Sequence, residues 1–425
     1  MSARQTIATP TDQDHVDALG LAQELIGLPS LSGQERDVAD ACIRHALRVG
    51  YDEAGFDPMG NFIGRVQVGD GQGPVLVMTG HLDTVNADAA QWSAETAPYG
   101  GAVRDGRLYG RGASDMKGAV ACMVQAAGLL KRLPGAGFSG QVFVVGTVVE
   151  ELFEGVCFTH ALEAIQPDYV IIGEATQCRV NIAQRGRAEV VMTVHGIGKH
   201  ASVGRTTINP IEQVAYIIDA FHRWYRSEAV EPLGKRNIVP TDIRIPVGGG
   251  GGLDGRGGNS TVPNRLELTY DVRTLPGDTP ESIMGLLTRQ LAGVNAVGRT
   301  QYTAYQDPDM AFASDRCTTS TGVEIQQDKF AHAWKMDEGC ELVKRALAAL
   351  EGIGQRPTIG SYGFCTDGSA IVPYLERHPD RACQVIGFGP SREELAHVIE
   401  EYVELEQLRK ALDGYVAIGT GLLRR

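Results

Sequence analysis

No two cysteines in this 425-residue chain form a C-x-x-C pair; the eight (Cys42, Cys122, Cys157, Cys178, Cys317, Cys340, Cys365 and Cys383) are scattered singly. That spacing excludes a thiolate zinc finger and argues against a secreted disulfide framework, leaving buried free thiols in a reducing compartment. Nowhere do 18 apolar residues run together, so no membrane-spanning helix is expected. Basic residues are outnumbered, 39 Lys and Arg against 52 Asp and Glu, and the net charge of −13 argues against nucleic acid or an anionic membrane as the main partner. The opening MSARQTIATPTDQDH has neither an apolar core nor a cleavage signature, so no secretory signal is read and a cytoplasmic chain is expected. Phosphate-cradling patterns are missing as well. The glycine run Gly248–Gly252, continuing through Gly255, Gly257 and Gly258, has neither Walker-type nor dinucleotide-type context and reads as a flexible loop. No repeat with a period of 20–50 residues is visible.

What is present is the balance of an ordinary globular protein, 43% hydrophobic and 21% charged, in a chain long enough to prefer two domains. Asp14 to Gly50 reads as two amphipathic helices broken at Pro29–Gly33, with Ser32 and Glu35 spaced as a capping box for the second. Strands are expected at Asn61–Val68, Pro74–Thr79, Gln141–Val149 and Tyr169–Ile172, with a helix over Gly118–Leu133. Apolar strands spaced by helices imply an α/β fold with a mostly parallel sheet covered on both faces. From about Arg187 the pattern changes. Strands at Ala188–Val194, Arg265–Thr274 and Gln301–Tyr305 alternate with helices at Pro210–Arg226 and Pro280–Leu291, an α+β pattern suggesting a small sheet with helices on one face. A helix at Asp337–Leu350, a strand at Gln384–Phe388 and a helix from Leu405 then resume the first pattern. The expected organisation is residues 1–186 and 307–425 as one domain, interrupted by an inserted domain at 187–306.

Chemistry gathers where apolar strands stop. Leu76–Thr79 runs into Gly80-His81-Leu82-Asp83, at the carboxyl end of a strand, where open α/β sheets bind ligands. His-x-Asp lets an imidazole bind metal while a carboxylate orients a neighbour, although a strand-end turn with a capping aspartate is the commoner meaning. Asp115 sits in the glycine-punctuated loop Gly110–Gly118, where a helix cap is the usual fate of an aspartate and bridging two cations is the other. Glu150 and Glu151 directly follow the strand Val142–Val149. Adjacent carboxylates repel unless a cation or a shared proton lies near them, and on extended backbone the two would point opposite ways. Glu174 follows Tyr169–Ile172 and Gly173, and His397 lies beyond Phe388-Gly389-Pro390. Each signal alone has a bland explanation as surface acids or caps; four such junctions together suit a hard or borderline divalent cation.

In order along nearly the whole chain, GHLDTV (80–85), GRGASDMKG (110–118), the pair 150–151, IGEAT (172–176), GIGKHAS (196–202) and GFGP…AH (387–397) resemble the aminoacylase, glutamate carboxypeptidase and succinyl-diaminopimelate desuccinylase family of dinuclear metallohydrolases. Asp57–Asn61, Gln184–Arg187 and Val385–Pro390 further resemble a subgroup linked to selenium metabolism, a name that defines no substrate. The resemblance implies a zinc-exopeptidase-like catalytic domain and an inserted two-layer lid that dimerises, giving a homodimer or higher homo-oligomer. It implies that His81, Asp115 and Glu174 hold one metal and that Asp115, Glu151 and His397 hold a second, the metal being Zn²⁺, Mn²⁺ or Co²⁺. Glu150 would be general base and then acid, Asp83 would orient His81, and His200 would reach the substrate oxyanion. Arg273 and Asn209 would bind substrate.

This chain departs from the family pattern at Ser391, where glycine is usual, at Arg392–Leu395, at Asn259–Pro263, at Gly368 and in the stretch Asp307–Trp334. Those departures fall on the expected substrate pocket more than on the expected metal ligands. The activity implied is hydrolysis of a carbon–nitrogen bond, foremost an amide of a small carboxylate-bearing molecule. A hydrolytic deaminase acting on an amidine or an electron-poor aromatic amine, such as an aminobenzoate, is the alternative, and a non-catalytic binding protein is the third.

Overall fold

A computed structural model describes residues 9–202, 207–247, 260–297 and 307–425, and these divide into two compact units. In chain order, the first unit begins with α1 (Asp12–Ile26), α2 (Arg36–Val49), β1 (Glu53–Phe56), β2 (Phe62–Val68), β3 (Val75–His81), α3 (Lys117–Leu130), β4 (Gly140–Thr147), α4 (Val156–Ile165), β5 (Tyr169–Ile172) and β6 (Val180–Gln184). The second holds β7 (Gly186–His195), α5 (Pro210–Trp224), β8 (Asn237–Arg244), β9 (Arg265–Thr274), α6 (Pro280–Val297) and β10 (Asp309–Phe312). A hairpin of β11 (Ser314–Thr318) and β12 (Glu324–Asp328) follows, then α7 (Glu341–Gly352), β13 (Ile359–Tyr362), α8 (Ile371–Arg377), β14 (Gln384–Gly387) and α9 (Leu405–Leu422).

In the first unit, β4, β3, β5 and β14 lie side by side and parallel. Every residue of β5 is buried, as is all of β3 beyond its first, the signature of strands covered on both faces. The mostly parallel expectation holds at this centre, and the edges are mixed. Toward the edges β2 and β1 run antiparallel, β6 pairs antiparallel with β14, and β13 joins β6 in parallel. The alternating burial of β2 marks a strand with one drier face. One apolar core lies between the sheet and α1, α2, α3, α7 and α9; another lies beneath α4 and α8. All fourteen residues of α3 are buried, so no polar stripe marks it as a surface helix.

The second unit is an antiparallel sheet in the order β8-β9-β7-β10, with Phe330–Ala331 also pairing to β7. Helices α5 and α6 supply Val214, Ile217, Phe221, Ile283 and Leu287 to its core. The expected strand at Gln301–Tyr305 and the glycine run 248–258 lie outside the described residues. Residues 307–315 and 327–333, assigned from the sequence to the returning segment, group with the second unit. The cause is visible: β10 and Phe330–Ala331 hydrogen-bond to β7.

A capping box does form, but at Thr11 and Asp14, whose side chains and backbone N–H groups bond reciprocally. The one expected at Ser32 and Glu35 does not. Glu35 is the residue preceding α2 and makes no side-chain cap. Ser32 donates instead to Asp83, and Glu35 turns inward. Helix α7 starts at Glu341, later than the expected Asp337.

Candidate metal centre

The parallel strands deliver their polar residues to one end of the sheet. His81 is the last residue of β3, Glu150 and Glu151 lie just beyond β4, and Glu174 lies just beyond β5. The loop after β14 brings His397, and Asp115 arrives from the turn before α3. His81 Nε2 lies 2.8 Å from Asp115 Oδ1 and 3.4 Å from Glu174 Oε1. His397 Nε2 lies 3.1 Å from Asp115 Oδ2 and 3.1 Å from Glu151. Asp115 thus offers one oxygen to each imidazole. Donor atoms of His81, Asp115 and Glu151 fall within 4.8 Å of one another, and so do those of His81, Glu150 and Glu174.

The electrostatics follow from crowding. Burial alone would disfavour a charged His81, but hydrogen bonds to Asp115 and Glu174 and the Glu150 charge hold its pKa well above normal. His397 is raised to about 10 by its hydrogen bonds to Asp115 and Glu151, against partial burial. Burial pushes Asp115 upward, yet the two imidazoles win and draw it below its usual range. Glu150 is raised by burial, helped by the Glu174 charge, while His81 opposes. Glu174 is likewise raised, by burial and then by Asp115. Buried carboxylates this close require positive charge among them. Two imidazolium rings can supply it; so can divalent cations, and a mixed His and carboxylate set suits Zn²⁺, Mn²⁺ or Co²⁺.

His81 Nδ1 lies 2.8 Å from the Asp83 carbonyl oxygen and 3.7 Å from its carboxylate Oδ1, so the backbone makes the closer approach. The carboxylate accepts the N–H groups of Glu150 and Glu151, each at 3.1 Å. Two local expectations are corrected. Glu150 and Glu151 are not on extended backbone. They occupy a turn entered through Val149 at φ 62°, which turns Glu150 into a buried position and leaves Glu151 half-buried. Ser391, read as a pocket departure, is buried against the Asp115 turn, with its Oγ 2.7 Å from Ser114 Oγ.

Residues missed by motif reading hold that same turn. Glu401 is fully buried, pairs with Arg111 at 2.5 Å, and accepts the N–H groups of Ser114 and Asp115 at 2.8 and 3.1 Å. A signal was available in the sequence, since Glu401 lies four residues past His397, but nothing local linked it to a loop 286 positions away. Asp367, also buried, accepts from Thr147 at 2.6 Å beneath the β4 end.

The remaining candidates lie in the second unit. His200 is exposed in the short strand Lys199–His200, with Nδ1 2.8 Å from Ser202 Oγ. Asn209 caps α5 by accepting the Ile211 N–H at 3.0 Å, and Arg273 pairs with Asp271 at 2.8 Å.

Residues 77–419 match the family model described as Peptidase family M20/M25/M40. The chain is 29% identical over 408 residues to the uncharacterized protein YgeY of Escherichia coli K12, covering 95% of this chain and 93% of that one. It is 28% identical over 426 residues to a succinyl-diaminopimelate desuccinylase of Methylobacterium radiotolerans, covering 94% and 96%. In fold it is similar to the YXEP protein of Bacillus subtilis, described as a dinuclear metal-binding peptidase of the M20 family. That likeness has a TM-score of 0.66 at 14% identity and covers 97% of this chain and 99% of that one.

Proposed function

The chain belongs to peptidase family M20/M25/M40, metallohydrolases acting on carbon–nitrogen bonds, and from that premise we propose that it hydrolyses an amide of a small carboxylate-bearing molecule with Glu150 as base. One observation carries this: Asp115 faces both imidazoles with its two oxygens, while a buried Glu150 stands beside the cluster. His81, Asp115 and Glu174 would hold one cation, and Asp115, Glu151 and His397 the other. Bound there, divalent cations acidify a water and polarise the carbonyl under attack.

The chain's own residues do the rest. Burial keeps Glu150 basic enough to take a proton from the attacking water. The same carboxyl then returns it to the leaving nitrogen, so base and acid are one residue in two states. His200 would donate to the developing oxyanion, and Arg273 and Asn209 would meet the substrate carboxylate. Kinship with a desuccinylase favours an amide over the aromatic amine of a deaminase. The selenium-linked resemblance adds no substrate to this reading. A homodimer through the second unit is part of the proposal, as is a cytoplasmic location. No helix among the described residues is long and apolar enough to cross a membrane.

Elemental analysis paired with Glu150→Gln tests the core of it. We expect metal content to be kept and turnover of N-acyl amino acids to fall by roughly 10²–10⁴-fold. Full activity in the variant removes Glu150 from the role of base. Ammonia released without a new carboxylate transfers the assignment to the deaminase.

A further inference from the structure

The turn that presents Glu150 and Glu151 is held by side chains from three distant segments. Four successive N–H groups point into oxygen acceptors. Val148 donates to Asn61 Oδ1 at 3.0 Å, Val149 to Glu35 Oε1 at 3.0 Å, and Glu150 and Glu151 to the two oxygens of Asp83 at 3.1 Å each. Glu35, Asp83 and Asn61 are all fully buried. Ser32 tethers Asp83 Oδ2 at 2.6 Å, and Gly33 N–H reaches Glu35 Oε1 at 2.7 Å, so Ser32–Glu35 is committed to this site.

Such an arrangement answers a physical need. Val149 is β-branched and buried, yet sits at φ 62°, in the left-handed region that β-branched side chains disfavour. A residue held there costs on the order of a few-fold to a hundredfold in conformational preference and persists only when its surroundings over-determine it. The N–H of that same strained residue is the group Glu35 accepts. Burial and the adjacent Asp83 charge push the Glu35 pKa up to about 7, and its carboxyl oxygen accepts this N–H at 3.0 Å.

We propose that Glu35 is a positioning residue: its carboxylate, acting with Asp83 and Asn61, keeps Val149 in the left-handed turn that aims Glu150 and Glu151 at the metal centre. The inference rests on the roles proposed above for those two glutamates. It reassigns Ser32-x-x-Glu35 from helix capping to the preorganisation of the site. Glu35 touches neither metal nor substrate in this scheme.

The test uses the full-length protein as Glu35→Ala and Glu35→Gln, the second of which keeps an accepting oxygen. Hydrogen–deuterium exchange of the amides at 149–151, zinc content after dialysis at limiting Zn²⁺, and kcat and KM on an N-acyl amino acid are measured. For Glu35→Ala we expect exchange at these amides to rise roughly ten- to hundredfold, the span covered by the loss of one buried hydrogen-bond partner. Zinc content and kcat should fall while KM stays within about twofold, and Glu35→Gln should recover most of both. Unchanged exchange overturns the proposal, and so does faster exchange with wild-type kcat and zinc content. If Glu35→Ala does not fold, Glu35→Asp is read the same way, because it withdraws the carboxylate by one methylene. Exchange separates this inference from the function itself: an active Glu150→Gln variant defeats the general-base assignment, whereas the exchange result bears on Glu35 alone.

Discussion

Buried ionisable side chains account for most of what local pattern could not reveal. Lys117 opens α3 with no exposed surface, and its ammonium donates to the carbonyls of Leu25 and Leu28 at 3.0 and 2.7 Å, at the end of α1. Burial lowers its pKa to about 7, against about 10.4 in an unfolded chain. Between those values the unfolded chain binds a proton that the folded chain lacks, so this residue makes stability rise with pH. Lys117→Met removes that slope together with two hydrogen bonds. The variant's urea midpoint should therefore drop relative to wild type between pH 7 and pH 9; an unchanged difference defeats the assignment. Of the candidate ligands, His81, Glu151 and Glu174 were legible because they follow apolar strands, while Asp115 and His397 lie in loops and stood out only as part of the set. Their supports were not, because Glu35, Asp83 and Glu401 accept from backbone N–H groups 67 to 286 positions away.

Elements were readable where burial imposes a run. The strands β3 and β5 announce themselves as unbroken apolar stretches, and α9 as a helix with one apolar side. Strand β6, buried at every position, was missed because Asn181 and Gln184 interrupt its apolar run. The hairpin of β11 and β12 was seen only as an unusual stretch. Its segment 316–326 belongs to the first unit, where Ile325 packs with Val148, Val149 and Phe153 behind the glutamate turn, and Thr321 donates to the Pro58 carbonyl. Backbone packing between loops is tighter still at Gly389, between β14 and His397. A Cβ there would stand 2.0 Å from the Gly173 carbonyl oxygen and 2.5 Å from that of Glu174. Neither neighbour is a side-chain end that can swing aside, so Gly389→Ala must part the Glu174 and His397 loops. We expect a loss of at least ~1–3 kcal/mol, as for overpacked interiors, read from denaturant unfolding, with lower metal content in the fraction that folds. Wild-type stability and metal content would show that the loops separate freely.

At the scale of the whole molecule, the second unit presents an open strand edge. Strand β8 ends the described sheet, paired on one side to β9, and nearly all of its residues are exposed. An open strand edge is a template for another chain, and soluble proteins usually blunt it with charge or a covering element. Here the edge bears Val239 and Ile243 at 49% and 51% exposure, and Ile245 just beyond it is 45% exposed. A net charge of −13 keeps such a chain from associating at random, so a surface of this kind favours one specific partner, and a second copy of the same edge satisfies both sets of free N–H and C=O groups at once. Two-fold pairing of identical strands is self-complementary by symmetry. Ile243→Lys places a charge on that edge in each copy. Light scattering coupled to gel filtration should show a dimer for the wild type and a monomer for the variant, with the melting temperature little changed, since Ile243 is half-exposed in the single chain. Should turnover fall as dimerisation is lost while metal content is retained, the second unit contributes to the reaction through its assembly. A wild-type monomer at micromolar concentration would remove the edge from consideration as a seam between copies.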